Sequence, residues 1–419
     1  MPSLRESCLR HASHYLSLLH GINQFYQQGG RAIGYALGVF DFEWSNIQLG
    51  HTNIVDYIRE DSTAAKLCST FYRAGDYILE LRLHPRERIQ WLETALIAAQ
   101  QTNDREAQGY YLAELGVASY HLSEYSQAIE FYNGALAITY EIGNKRLEGV
   151  IRGNLGITYK SQGDFSNAIE CHEQSLLLKR EIGDRRGEGN SLNNLANVYY
   201  LLYEPRRAIK LHRQRLVIAR EISDRRGENS ALLGLGICYI SLGQARRAIV
   251  LLRHALAICR QMGHRRAECH VLSELGSAYL KLGRVHQAIK LQHQAMMIAR
   301  EIGSRRDEGF AFFYLGEAYA ISNQELRAIE YFEQAIVIFN KIGDRYKEGD
   351  SLKHLSYVLR DLGKLHQAIG TFELTLTVYE QIQHPKLEEV RSALATCREG
   401  LKLNPSPTRG RRSKTGASS

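Results

Sequence analysis

The 419-residue chain is short of proline, of paired cysteines and of long apolar runs, and each shortage removes a class of protein. Of six prolines, three (Pro2, Pro405, Pro407) sit near the ends, which suits long uninterrupted helices, since an interior proline loses a backbone donor and clashes with the preceding turn. Seven cysteines (Cys8, Cys68, Cys171, Cys238, Cys259, Cys269, Cys397) are an odd number without a C-x-x-C spacing. That excludes a disulfide framework and a zinc site and fits reduced, mostly buried thiols. No apolar stretch approaches the ~20 residues that cross a bilayer, and the N-terminus lacks a charged-then-apolar leader, so a cytoplasmic chain is expected. Neither G-x-x-x-x-G-K-[ST] nor H-E-x-x-H occurs, so a phosphate-binding loop and a zincin helix of those kinds are absent.

Apolar content of 44% and charged content of 23% are ordinary for a folded chain. The net charge of +8 has four charges in the tail (Arg409, Arg411, Arg412, Lys414), while residues 1–84 carry an excess of one acid. The remaining mild excess is spread over the centre and is not a nucleic-acid footprint.

What the chain has is a period of forty residues from about 105 to 384. The first half of each unit centres on Leu115-Gly116, Leu155-Gly156, Leu195-Ala196, Leu235-Gly236, Leu275-Gly276, Leu315-Gly316 and Leu355-Ser356. The second opens with Ala-Ile at 128, 168, 208, 248, 288, 328 and 368, without insertion or deletion. A strict period of this length indicates a stack of supersecondary units. Small residues at mid-helix let a second helix approach closely, and Tyr159, Tyr199, Tyr239, Tyr279 and Tyr319 are expected to fill the space between hairpins. Gly163-Asp164, Glu204-Pro205, Gly243-Gln244, Gly283-Arg284 and Gly363-Lys364 read as the turns. Residues 85–104 form half a unit, 105–384 seven full ones, and 386–403 a capping helix. Residues 404–419, rich in Pro, Ser, Gly and Arg, are expected to be a disordered basic tail. Residues 1–84 escape the period and read as a small helical domain: a helix over Cys8–Phe25, a break at Gln27-Gln28-Gly29-Gly30, a second helix from Ala32, and a third from Asp61 to about Arg82 capped by Asp61 or Ser62. His84-Pro85 marks its boundary.

The Leu-Gly pair, Ala128, Tyr132, Ala135 and their forty-residue equivalents resemble the tetratricopeptide repeat family. The leading Trp of that family is mostly Leu here (Leu112, Leu192, Leu232), the final Pro is missing, and the second aromatic becomes His172, His212, Leu252 and Gln292. The longer unit, with its Ile-Gly-Asp-Arg loops, resembles the kinesin-light-chain and Pins/LGN subtype found in bacterial arrays. The segments His11–Leu16, Phe25–Gly30 and Glu43–Ile47 resemble the helical segment preceding such arrays in cyanobacterial proteins. The resemblance implies an all-α right-handed superhelical solenoid whose first helices line a concave groove.

Along that groove the stripe Asn190, Asn193, Asn194 and Asn197 lies on one side of a helix at i, i+3, i+4 and i+7, with Asn154 one repeat earlier at the Asn194 position. Asparagine disfavours exposed helices, because its amide competes with backbone bonding. Each amide offers two donors and an acceptor for an extended peptide, or the set bonds across neighbouring helices. Further along, Leu233, Ile237 and Ile240, then Phe310, Phe313 and Tyr314, then Lys353, His354 and Tyr357 are anchor material for a partner. Phe313 and Tyr314 are equally placed to pack on the next repeat. The family's carboxylate clamp is not reproduced, since Asn193 stands at the expected lysine position, so a C-terminal carboxylate ligand is not expected.

Other features read as structural. Arg185-Arg186, Arg225-Arg226, Arg265-Arg266 and Arg305-Arg306 share an edge with Glu188, Glu228, Glu268, Glu308 and Glu348, as in a solvated ion-pair lattice. His172 and His212, at one repeat position, are expected in packing. His286 and His293, or Cys259 and Cys269, lack the surrounding groups of a metal or nucleophile site. The expectation is a non-enzymatic scaffold for a protein or peptide partner, without cofactor, metal, small-molecule substrate or nucleic acid. It would act in bacterial signalling or complex assembly. The alternative is the sensor arm of a STAND-type NTPase switch, supplied in cis by a longer gene product or in trans.

Overall fold

A computed structural model describes residues 3–28 and 31–403. The break expected at Gly29-Gly30 and the tail of 404–419 lie outside the described residues. Among the described residues the chain is all-α, with twenty helices. They divide into two compact units, 1–224 and 225–419.

Unit one begins with α1 (Leu4–Gln28), α2 (Arg31–Val55), α3 (Ser62–Ala74) and α4 (Asp76–Arg82). The side chain of Asp61 caps α3, accepting from the Thr63 and Ala64 amides. The single helix expected from Asp61 to Arg82 is two helices. At Gly75 the chain bends, and a Cβ there would lie 2.6 Å from Leu19 of α1, so only glycine admits that contact. Pro85 opens α5 (Pro85–Gln101) at its first turn. Then come the pairs α6/α7 (Arg105–His121, Tyr125–Ile142), α8/α9 (Lys145–Gln162, Phe165–Glu181) and α10/α11 (Arg185–Leu201, Pro205–Glu221).

His84-Pro85 is a helix start but not a break in packing. One core runs from Ala12 through Phe71 and Trp91 to Leu115. The His51 ring stacks on Trp91 with centroids 4.0 Å apart. Buried Arg88 donates to the Tyr72 hydroxyl at 2.6 Å and pairs with Glu114, with Glu80 at 3.6 Å. Leaving this guanidinium unpaired would cost several kcal/mol, roughly 3–5, so α3, α5 and α6 are tied together.

Unit two holds α12/α13 (Arg225–Ser241, Ala245–Gln261), α14/α15 (Arg265–Lys281, Val285–Glu301), α16/α17 (Arg305–Ile321, Glu325–Lys341), α18/α19 (Arg345–Asp361, Leu365–Gln381) and α20 (Leu387–Leu403). Within each unit successive antiparallel pairs stack, as expected of the repeat.

Two local features repeat without slippage. A left-handed residue ends a helix at every twentieth position from 103 to 383, as glycine at nine of them (Gly143 and Gly163 among these) and as Asn103, Ser123, Tyr203, Ser223, Asn323 and Gln383 at the others. The next amide then bonds five residues back, as Asp184 N–H does to Lys179 O at 2.9 Å, which closes the helix end. Mid-pair, the first helix offers glycine to a bulky side chain of the second. A Cβ on Gly116 would lie 2.5 Å from the Tyr132 ring, on Gly156 2.5 Å from His172, on Gly236 2.6 Å from Leu252, and on Gly316 2.7 Å from Phe332.

Gly316→Ala is therefore expected to destabilise unit two by about 2 kcal/mol, the overpacking cost exceeding the roughly 1 kcal/mol that alanine gains in helix propensity. Gly370→Ala, on α19 where a Cβ meets nothing within 4 Å, should stabilise by up to about 1 kcal/mol. Urea denaturation of both variants checks the opposite signs.

Candidate functional site

The free face of the first helices is built by default. In α10, Leu192, Leu195, Ala196 and Val198 are buried and Ser191 packs beside them. That leaves Asn193, Asn194 and Asn197 half-buried on the remaining side and Asn190 exposed at its end, with Asn154 half-buried on α8. The amides of Asn154, Asn190, Asn194 and Asn197 make no hydrogen bond to another described residue, whereas Asn193 does have an interaction within the chain. The alternative of amides bonding across neighbouring helices does not hold for these four. They are polar groups with unused donors and acceptors on a helix face.

In unit two the expected anchors divide. Leu233, Ile237 and Ile240 on α12 are half-buried and remain available as a low apolar surface. Phe310 is half-buried but packs edge-on against Phe339, with the Lys347 ammonium 5.7 Å from its centroid. Phe313 and Lys353 are both only 6% exposed, which corrects the expectation that they line a groove. Phe313 is enclosed by Phe332 and His354, at 5.9 and 5.1 Å between centroids. Lys353 sits against Asp350 and Glu389, its pKa lowered first by burial and then by Lys386. Tyr314 and Tyr357 keep an accessible edge, with hydroxyls donating to Glu274 at 3.1 Å and Glu389 at 3.2 Å.

Two carboxylates on this face escaped the sequence reading. Glu274 and Glu317 occupy the Asn194 and Asn197 positions two and three units on, so carrying that register forward would have found them. Burial raises the Glu274 carboxyl above the usual range, opposed by the Tyr314 hydroxyl and the Lys347 charge. Glu317 lies 3.4 Å from His354 Nε2. The face thus changes from neutral amides in unit one to acids and tyrosines in unit two.

The first arginine of each loop is neutralised. Arg185, Arg225, Arg265, Arg305 and Arg345 pair with Glu188, Glu228, Glu268, Glu308 and Glu348 at 2.5–2.9 Å, and these glutamates are nearly buried. Arg185 and Arg265 reach on to Glu221 and Glu301. This is the lattice read from the sequence, with little charge left over for an acidic partner.

His172 and His212 lie in the core. Among the described residues no three His, Cys, Asp or Glu converge on a metal position. Neither ring nitrogen of His172 has a partner, nor has His212 Nδ1. Burial holds both rings down to about 4, helped by Lys160 for His172 and Arg215 for His212. All seven thiols are free. Burial pushes Cys68, Cys238 and Cys269 up to about 12, far from a nucleophile's range. Among the described residues no helix is long and apolar enough to cross a membrane.

A chain of forty-residue helix pairs with these glycine contacts and turns has a repeat-array fold, and part of the array matches tetratricopeptide repeats. Residues 147–221 and 268–341 match one profile described as tetratricopeptide repeat, and residues 231–266 match a second. No curated protein matches the chain. Among solved structures, the apo form of the quorum sensor NprR from B. thuringiensis is similar, with TM-score 0.60 and 13% identity over 90% of this chain and 99% of that one. A Rap protein complexed with Competence and Sporulation Factor has TM-score 0.53 and 14% identity, covering 94% and 99%. The STAND protein PH0952 from Pyrococcus horikoshii, described as having a tetratricopeptide repeat sensor, has TM-score 0.57 and 16% identity over 94% of this chain. This chain spans 62% of that protein. At such identities the likeness concerns the fold.

The buried histidines carry a pH prediction. Unfolded histidine titrates near about 6.5, so above that pH both states are neutral and nothing is lost. As pH falls towards about 4 the unfolded chain takes up protons that the folded core refuses, and His172 alone should cost about 2 kcal/mol near pH 5. His172→Phe, which places the residue of Phe332 and Phe372 at the equivalent position, should flatten the loss of stability between about pH 6.5 and 4, as read from urea midpoints across that range.

Proposed function

We propose that the chain is a protein-interaction scaffold that holds an extended peptide or helix of a partner along the free face of its first helices. The observation that carries this reading is the set of half-exposed asparagine amides on α8 and α10 without partners inside the chain. An isolated exposed helix gains nothing from asparagine, whereas a peptide backbone supplies the acceptors and donors these amides lack. Leu233 and Ile237 supply apolar contact, and Tyr314, Glu274 and Glu317 supply polar contact, to the segment bound by unit two. Phe313 and Lys353 act from behind, by packing. The NprR and Rap neighbours are a quorum sensor and a protein complexed with Competence and Sporulation Factor, which supports a sensing or assembly role in the bacterial cytoplasm. The forty-residue unit supports the kinesin-light-chain-like subtype of repeat. No catalytic step belongs to this reading.

A second reading is supported by the likeness to the STAND protein over 94% of this chain: the array serves as the sensor arm of an NTPase switch. A Walker motif in frame in a longer gene product would support it in cis. A stop codon closing that frame would remove the cis version.

For the first reading, a peptide selected by display against the full chain is the ligand to titrate. At roughly 1 kcal/mol per net hydrogen bond, Asn194→Ala with Asn197→Ala should weaken it about tenfold while helicity and melting stay unchanged. Unaltered affinity in that double variant rejects this face as the site.

A further inference from the structure

Two second helices of unit two, α13 and α15, present exposed positive charge that the whole-chain balance dilutes. Helix α13 carries Arg246, Arg247, Arg253 and Arg260 and not one acid. Arg246, Arg247 and Arg253 are exposed, as is Lys290 on α15. Among the described residues none of these four has a carboxylate partner: Arg247 bonds the Gln244 side chain at 2.8 Å and Arg253 the Tyr279 hydroxyl. This sets them apart from Arg225, Arg265, Arg305 and Arg345 of the loops in the same unit, each of which is paired. The second helices that follow in the same unit reverse the sign, with Glu330 and Glu333 on α17 and Glu373 and Glu380 on α19.

Apolar side chains stand among these cations. Val250 is 69% exposed, one turn on from Arg246 and one turn before Arg253 and His254. Met297 is 68% exposed, seven residues on from Lys290 and so on the same side of α15. Both helices pack on α14 and share the forty-residue register, so Val250 and Lys290 occupy equivalent positions.

We propose that the outward face of α13 and α15 docks an acidic, amphipathic segment of a partner protein. Charge complementarity selects the acidic side chains, which meet guanidinium and ammonium groups that nothing in the chain neutralises. The interleaved Val250 and Met297 select a segment with its own apolar stripe, methionine being the adaptable contact. A nucleic-acid strand is disfavoured because neither α13 nor α15 carries a Phe, Tyr or Trp on which a base could stack. This surface lies on the second helices and is separate from the asparagine face.

The test is fluorescence anisotropy on the full chain with a labelled peptide of Glu, Asp and Leu about 18 residues long, or five helical turns. The comparison ligands are the same peptide with Gln for each acid, a thymidine oligonucleotide, and phosphatidylserine vesicles. The acidic peptide should bind, with affinity falling as salt rises, and the Gln peptide should not. Arg246→Glu, Arg247→Glu and Lys290→Glu combined should weaken binding at least about tenfold. Val250→Ser with Met297→Ser should weaken it without changing the salt dependence. Asn194→Ala with Asn197→Ala should leave it unchanged, so that this site and the asparagine face fail or succeed independently. The proposal is overturned if the acidic peptide does not bind, if the charge-reversed variant binds it equally, or if the oligonucleotide or the vesicles bind this face more tightly than the peptide. The substituted positions on α13 and α15 are exposed, and an unchanged circular dichroism melt establishes that each variant is folded.

Discussion

How closely the two helices of a pair approach governs the rest of this chain. At Gly116, Gly156, Gly236, Gly276 and Gly316 the first helix gives up its side chain, and the partner sixteen residues on fills the space. The filler varies freely, as Tyr132, His172, Leu252, Gln292 or Phe332, while the small residue opposite is kept. Volume across the seam is therefore the conserved quantity within the array, and polarity is not. That explains how two histidines without hydrogen-bond partners and a glutamine come to occupy an aromatic's place, at the cost of buried polar atoms left unpaired. A second set of contacts, twenty-six residues apart, holds the two helices of a pair together: Ser175 to the Gly149 carbonyl, Asn229 to the Ala255 carbonyl and Cys269 to the Ala295 carbonyl.

The opening helices are an integral cap rather than an appended body. Arg88 replaces the alanine that opens every later second helix, and a large cation cannot occupy a seam built for a methyl group unless the surroundings change. Tyr72 from α3, with Glu80 and Glu114, provides that change. Glu114 stands at the repeat position of Asn154 and Asn194, so the structural role of the cap uses up the residue that later units leave free. Cap and binding face are thus continuous in sequence register yet distinct in chemistry.

The period, the pairs and their turns were legible because they depend on local residue types at fixed spacing. What could not be read depended on distant partners. The division of α3 from α4 falls at Gly75, where a Cβ would meet Leu19 fifty-six residues away, and its one local mark, Gly75-Asp76, lies outside the forty-residue period that made the other turns legible. Left-handed turns at Ser123, Tyr203 and Ser223 lack the glycine that would announce them, since the surrounding helix ends already over-determine the conformation. On the candidate face the asparagine stripe was found, because four unusual residues shared one side of a helix. The burial of Phe313 and Lys353 depends on side chains beyond their own helix, Phe332 and His354 for the first and Glu389 for the second, which the register argument does not locate. Glu274 and Glu317 were within reach of the register argument, and the outward arginines of α13 were hidden by summing charge over the whole chain instead of along single helix faces.

The strict count of twenty residues between left-handed turns has a consequence for how such a chain changes over generations. Because the contacts that close a pair and those between neighbours span sixteen to forty residues, a unit can be duplicated or excised by unequal recombination at matching turns without disturbing the seam of any other. Length then varies in whole steps of forty, and the reach of the binding surface lengthens or shortens by one helix pair at a time. Diversification of the partner and diversification of the scaffold are thereby uncoupled: the first proceeds by substitution on the outward positions, the second by copying.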